Sequence, residues 1–189
     1  MFIVIEGVDG VGKSTICKLV ASRLNFIYHK SPMNKMRDAK IYYEDLGDAL
    51  SRYYFYRAVV QSDSVLIKEK LSTGNSIICD RYIESLYSYH LAMDPKITSI
   101  FESNYVFKAD VEILLTASQK IRIERICERS NLGKEKTKMD ESQGFLDVVQ
   151  NIFRNRIKLQ INTDHKTIEE VVNEVVQIIS LQNNHVIER

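Results

Sequence analysis

Eight consecutive residues, Gly7-Val8-Asp9-Gly10-Val11-Gly12-Lys13-Ser14, hold the densest chemistry in the sequence. They satisfy G-x-x-x-x-G-K-[ST], the pattern of a loop that cradles nucleotide phosphates. Each position has a physical reason. Gly7, Gly10 and Gly12 let successive backbone N–H groups turn inward toward anionic oxygens, and Val11 and Thr15 complete the stretch whose backbone lies along them. The helix that opens at Lys13 brings the positive end of its dipole to the same place. Lys13 reaches the outer phosphates, and the Ser14 hydroxyl is a ligand for Mg²⁺. The chemistry is therefore phosphoryl transfer from, or hydrolysis of, a nucleoside triphosphate. No guanine-reading N-K-x-D segment accompanies the loop, because Asn34-Lys35 continues as Met36-Arg37. The length suits a small-molecule kinase better than a motor or a transporter ATPase.

A second cluster is Asp80-Arg81, at the end of the apolar run Ser76-Ile77-Ile78-Cys79. Asp80 there can orient Mg²⁺ or its waters, and Arg81 can grip an acceptor phosphate with two parallel hydrogen bonds. The same pair also fits a helix cap followed by a surface arginine. The aromatic run Tyr53-Tyr54-Phe55-Tyr56, taken alone, reads as core packing. His90, taken alone, reads as a partly buried histidine.

The elements that must position these residues alternate. Short runs rich in Ile, Val and Leu separate longer segments with helical periodicity, the signature of a parallel sheet covered on both faces. Strands are expected at Phe2–Glu6, Asn25–His29, Ser76–Asp80, Val111–Thr116 and Leu159–Asn162. Helices are expected at Lys13–Leu24, over Asp45–Leu71 as one long helix or two abutting ones, from Tyr82, at Ala117–Arg129, Gly144–Ile157 and Thr167–Leu181. Asp94–Tyr105 carries no decisive pattern. Ser130–Asp140, with Lys134, Lys136 and Lys138, reads as an exposed loop, and Gln182–Arg189 as a frayed tail. There is no internal repeat and no linker, so residues 1–189 are expected to form one domain.

Composition narrows the function further. The 189 residues are 44% hydrophobic and 27% charged, with 26 Lys+Arg against 25 Asp+Glu. Such a chain builds its own core without metal or disulfides. A net charge of +1 argues against nucleic acid as the main partner. No apolar run is long enough to span a membrane, and the apolar N-terminus lacks the basic region and cleavage site of a secretory signal. Cys17, Cys79 and Cys127 are widely spaced and odd in number. They read as reduced thiols of a cytoplasmic protein.

Three stretches together resemble the thymidylate kinase family of nucleoside monophosphate kinases. The first is Phe2 to Thr15, where an aspartate inside the phosphate loop, here Asp9, is that family's peculiarity. The second is Asp80-Arg81-Tyr82-Ile83-Glu84-Ser85-Leu86-Tyr87-Ser88-Tyr89-His90, similar to the family's D-R-Y-x-x-S-x-x-A-Y-Q. The third is Arg125-Ile126 with Arg129, then Asp140-Glu141 and Phe145, resembling the family's lid and the segment after it. The resemblance implies a P-loop NTPase fold of the α/β class: a doubly wound, parallel five-stranded sheet with helices on both faces and a lid at about 130–140. It implies ATP and Mg²⁺ as cofactors, with Ser14 and Asp80 at the metal. Lys13, Arg81, Asp9 and Arg129 are expected to act in catalysis, Asp9 approaching the acceptor's sugar hydroxyl. Phe55 aligns with the family's base-stacking phenylalanine, and Ser85, Tyr89 and His90 would line the base pocket. Where the family's helix carries an arginine two residues before Gln61, this chain has Val59, and Arg57 is the nearby cation expected to meet substrate. The long helix is implied as a homodimer interface.

The acceptor follows from charge. A nucleoside hydroxyl needs a carboxylate base, which the related deoxynucleoside kinases carry at the exit of strand two; this chain reads His29-Lys30-Ser31-Pro32 there. A monophosphate is already an anionic nucleophile and needs cations, which Lys13, Arg81 and the lid supply. The expected reaction is thymidylate to its diphosphate, ahead of a deoxynucleoside kinase. The intact Lys13, Ser14 and Asp80 set weighs against a non-catalytic nucleotide-binding protein.

Overall fold

A computed structural model describes residues 1–101, 103–131 and 142–187. Five strands, β1 (Phe2–Glu6), β2 (Ile27–Lys30), β3 (Ile77–Asp80), β4 (Val111–Thr116) and β5 (Leu159–Asn162), form one sheet in the order β2-β3-β1-β4-β5. Every pairing is parallel, so every connection must cross over the sheet. The helices are α1 (Lys13–Leu24), α2 (Arg37–Asp45), α3 (Ala49–Ser72), α4 (Ile83–Met93), α5 (Gln119–Asn131), α6 (Gln143–Arg156) and α7 (Ile168–Ile187).

The alternation of strand side chains explains the layers. Ile3 and Ile5 enter a core with Ile16 and Val20 of α1 and Val172 and Val175 of α7. Phe2 and Val4, one residue out of phase, enter a second core with Tyr53, Val60 and Ile67 of α3 and Leu86 of α4. All five β1 residues are buried, which is why its sequence is a continuous apolar run ending in a single carboxylate, Glu6.

The helical stretch expected over Asp45–Leu71 divides at Gly47, whose φ of 73° is a left-handed turn. Asp48 then caps α3, its carboxylate accepting from the Ser51 N–H at 2.6 Å. The preceding helix α2 has no counterpart among the expected elements: it buries no residue completely, so it lacks a core-facing stripe strong enough to read. Within Asp94–Tyr105 the chain makes a short 3-10 turn, Pro95–Ser99, begun by Asp94 accepting from the Lys96 N–H at 2.9 Å. Helix α7 continues past Leu181 to Ile187, through residues expected to fray. Of the expected lid, Ser130 and Asn131 belong to α5; 132–141, with Lys134, Lys136, Lys138, Asp140 and Glu141, lies outside the described residues. Among the described residues no helix is long and apolar enough to cross a membrane.

Candidate active site

The central strand β1 and its neighbour β3 run side by side, with Ile5 opposite Asp80, so both deliver their last residues to the same edge. Open α/β sheets bind ligands at that carboxyl edge, where the chain crosses to opposite sides. The phosphate loop lies between β1 and α1. Gly10, at φ 88°, passes so close to α5 that a Cβ would sit 2.8 Å from the Arg122 carbonyl oxygen. Gly12, at φ 96°, is the N-terminal cap of α1 and supplies no side-chain cap. A Cβ there would meet nothing within 4 Å, and the Gly12 carbonyl accepts from the Thr15 and Ile16 N–H groups, both at 3.1 Å. Val11 is buried in the core and Thr15 exposed.

Lys13 is buried and donates from Nζ to the Val8 carbonyl at 2.7 Å. Burial, reinforced by repulsion from Arg81, lowers its ammonium to about 8. An ammonium so placed gains from any anion brought to the loop. Ser14 Oγ donates to Asp80 Oδ2, and Tyr28 Oη donates to the same oxygen at 3.2 Å. A hydroxyl and a carboxylate in contact form a hard oxygen donor pair of the kind Mg²⁺ takes when phosphates and waters complete its shell. Ser14 and Asp80 therefore fit the metal role expected of them.

Arg81 leaves β3 in the left-handed conformation, φ 73°, its N–H donating to the Ile5 carbonyl at 3.1 Å. Its Nη2 donates to Asp9 Oδ1 at 2.8 Å, its Nη1 to Ser85 Oγ at 3.3 Å, and its guanidinium lies 5.0 Å from the Tyr89 ring centre. Burial raises the Asp9 carboxyl, but attraction by Arg81 and Lys13 outweighs it and holds the group well below the usual carboxylate range.

Beside this cluster opens a cavity of about 780 Å³. Asp9, Arg81, Ser85, Tyr89, His90 and Arg129 all line it, so the structure gathers six of the expected site residues into one space. The His90 Nδ1 donates to the Leu86 carbonyl at 2.7 Å, and burial lowers its imidazolium to about 4. Among the described residues the wall carries Lys30, Arg37, Lys40, Arg52, Arg81 and Arg129 against the carboxylates Asp9, Glu44 and Asp45.

Two expectations need correction. Phe55 is turned away from the cavity, its ring stacked on Tyr43 with centroids 4.8 Å apart, and Tyr56 takes the lining position. One residue along a helix is a rotation of about 100°, so alignment by residue type within an aromatic run slips easily. Arg57 also lies outside the cavity lining and donates to Gln61 Oε1 at 3.3 Å. The lining cation of α3 is Arg52, on the same face as Tyr56 and Val60 at steps of four. Arg52 Nη2 donates to Glu44 Oε1 at 3.2 Å, and Tyr56 Oη donates to the same oxygen at 2.8 Å. Val59, in the place of the family's arginine, is buried.

Sequence reasoning also missed Glu6. Its Oε1 accepts from the N–H groups of Tyr82 at 2.8 Å and Ser85 at 3.1 Å, and its Oε2 accepts from Ser85 Oγ. Burial pushes its carboxyl up to about 7 against these donors. A lone carboxylate ending a wholly apolar strand was the available signal.

Comparison with known proteins agrees with this geometry. The family model described as thymidylate kinase matches residues 5–175. The probable thymidylate kinase of Methanocaldococcus jannaschii is 30% identical over 187 residues, covering 93% of this chain and 94% of that protein. The thymidylate kinase structure from Candida albicans superposes with a TM-score of 0.73 at 22% identity, covering 97% of this chain and 92% of that one. A deoxyadenosine kinase from M. mycoides shares the fold with a TM-score of 0.70 at 16% identity, covering 95% and 99%. With the phosphate loop, the Asp9–Arg81 pair and the adjoining cavity in one constellation, the chain belongs to the thymidylate kinase family of nucleoside monophosphate kinases.

Proposed function

We propose that this kinase transfers the γ-phosphate of ATP to the 5′-phosphate of thymidylate. The observation that carries the reading is the cationic wall of the cavity beside the phosphate loop, where, among the described residues, six Lys and Arg side chains face three carboxylates. An anionic acceptor and an anionic donor repel each other, and positive groups between them lower that cost. Asp9 is engaged by Arg81, and Glu44 by Tyr56, Arg52 and Lys40. The strand-two exit supplies Lys30, Ser31 and Pro32 to the wall and no carboxylate, so a nucleoside hydroxyl would find no base there.

In this reading the loop's backbone N–H groups and Lys13 hold the donor phosphates. Ser14 and Asp80 would hold Mg²⁺, which when bound would supply charge neutralisation at the donor phosphates. Arg81 grips the acceptor phosphate and keeps it in line. Asp9 orients Arg81 with one oxygen and offers the other to the sugar 3′-hydroxyl. Tyr56 provides the ring face for the base, with Val60, Leu86 and His90 closing the wall around it. Arg129, on α5, adds positive charge beside Asp9 at the mouth.

Arg81→Ala tests this assignment. The Michaelis constant for thymidylate is expected to rise and the turnover number to fall, roughly a hundredfold together in kcat/KM, while the constant for ATP moves little. A shift confined to the ATP constant would place Arg81 at the donor and remove the acceptor assignment.

A further inference from the structure

Helix α4 has Tyr82 at its N-cap and no side-chain cap of its own, although Tyr82, Ser85 and Leu86 of its first turn line the cavity. The missing partner comes from the end of β1. Glu6 is fully buried, and its Oε1 receives two of the N–H groups of that turn, from Tyr82 and Ser85. Its other oxygen accepts the Ser85 hydroxyl proton. That donation leaves only lone pairs on Ser85 Oγ for Arg81, and Arg81 Nη1 donates to them at 3.3 Å. A continuous path therefore runs Glu6–Ser85–Arg81–Asp9, closed by Arg81 Nη2 on Asp9 Oδ1 at 2.8 Å.

We propose that Glu6 is a positioning residue for phosphoryl transfer: as a cap supplied from β1 to α4, it sets the direction of the Ser85 hydroxyl and thereby aims the Arg81 guanidinium at the acceptor phosphate. The inference rests on the assignment of Arg81 to the acceptor. Arg81 stands in a left-handed conformation that costs a non-glycine residue free energy, so something must hold the turn. The Ile5 carbonyl holds its N–H on one side, and the capped turn at Tyr82 holds the chain on the other. Glu6 itself meets Ser85 and the backbone of α4 rather than the acceptor.

Glu6→Gln separates positioning from capping. Its amide oxygen can keep both N–H bonds of the turn, but its NH₂ donates to Ser85 Oγ and turns the hydroxyl proton elsewhere. Above the Glu6 value of about 7, where its carboxylate only accepts, the expected result is an unchanged Tm, an ATP Michaelis constant within about twofold of wild type, and an acceptor constant raised about tenfold. Glu6→Gln should add nothing further in a Ser85→Ala background, because the effect passes through that hydroxyl. An unchanged acceptor constant in Glu6→Gln, or full additivity with Ser85→Ala, would make Glu6 a cap alone and overturn the proposal. The Arg81 guanidinium N–H signals, read by NMR in the ligand-free protein, are independent of acceptor identity. They should be restrained in wild type and averaged in Glu6→Gln; identical signals would defeat the positioning role. If wild type turns over no nucleoside monophosphate, the functional reading fails by itself, and the Arg81 signals still decide the role of Glu6.

Discussion

The two ends of the acceptor cavity are built differently. At the phosphate-loop end, polar groups meet partners held by the backbone or by the sheet edge: Lys13 on the Val8 carbonyl, Asp9 on Arg81, Ser14 on Asp80. At the base end, side chains from three helices meet across the cavity, with Glu44 of α2 joined to Tyr56 and Arg52 of α3, and His90 of α4 beside the Tyr56 ring at 5.6 Å. One end is fixed by local chain geometry and the other by how helices pack. In the proposed function the first is the end for chemistry and the second the end that chooses the base.

That contrast is broken most directly at Lys13. Lys13→Ala should reduce kcat on the order of a thousandfold, since the ammonium offsets charge that develops on the transferring oxygens. Its hydrogen bond goes to a loop carbonyl rather than to the core, so Tm should barely move. Retained turnover would show that the loop end is scaffold.

Acid should separate the ends next. His90 titrates at about 4 in the folded chain against 6.5 in the unfolded one. Between those values the unfolded chain binds more protons, so the His90 contribution to stability is present above pH 6.5 and is lost as pH falls toward 4. The loss is on the order of 3 kcal/mol, at about 1.4 kcal/mol for each pH unit between the two values. Glu6 works in the opposite direction, because its value of about 7 lies above the ordinary 4.5 and the folded chain takes up its proton first. The two slopes oppose each other in wild type. The stability difference between wild type and His90→Gln, followed by denaturant titration from about pH 7 to about pH 4, isolates the first. A difference that stays constant with pH would mean that His90 is not buried neutral between α3 and α4.

The smallest expected effect sharpens the base end alone. Tyr56→Ala should raise the acceptor Michaelis constant about tenfold with the ATP constant unchanged, a loss in keeping with one ring contact. Phe55→Ala should change neither by more than about twofold. The reverse pattern would return the stacking role to Phe55 and undo the helix-face assignment.

The same contrast explains what could be read in advance. The phosphate loop was legible because its glycines and lysine answer to backbone conformation, which depends on neighbours in sequence; Gly10 and Gly12 do take positive φ. The inner strands β1 and β3 were legible because burial on both faces leaves unbroken apolar runs, while the edge strands β2 and β5 are only partly buried and carry polar residues. Helix α2 was not, since it buries no residue completely, and with it Glu44 escaped notice. The exchange of Phe55 for Tyr56 has a further cause. Four consecutive aromatics give every face of α3 a plausible ring, and only packing against α2 and α4 decides which one meets the cavity. Glu6 stood in plain view, but its partners Tyr82 and Ser85 lie more than seventy residues away.

The central claim is that the cationic cavity receives a nucleotide already carrying a phosphate. The direct measurement is the turnover of thymidylate and of thymidine at matched concentrations with Mg·ATP. Thymidylate should be phosphorylated and thymidine negligibly so, because the cavity wall offers cations to a phosphate and its Asp9 and Glu44 carboxylates are engaged by Arg81, Tyr56 and Arg52. Equal or faster turnover of thymidine would contradict the account and make the cavity a nucleoside site.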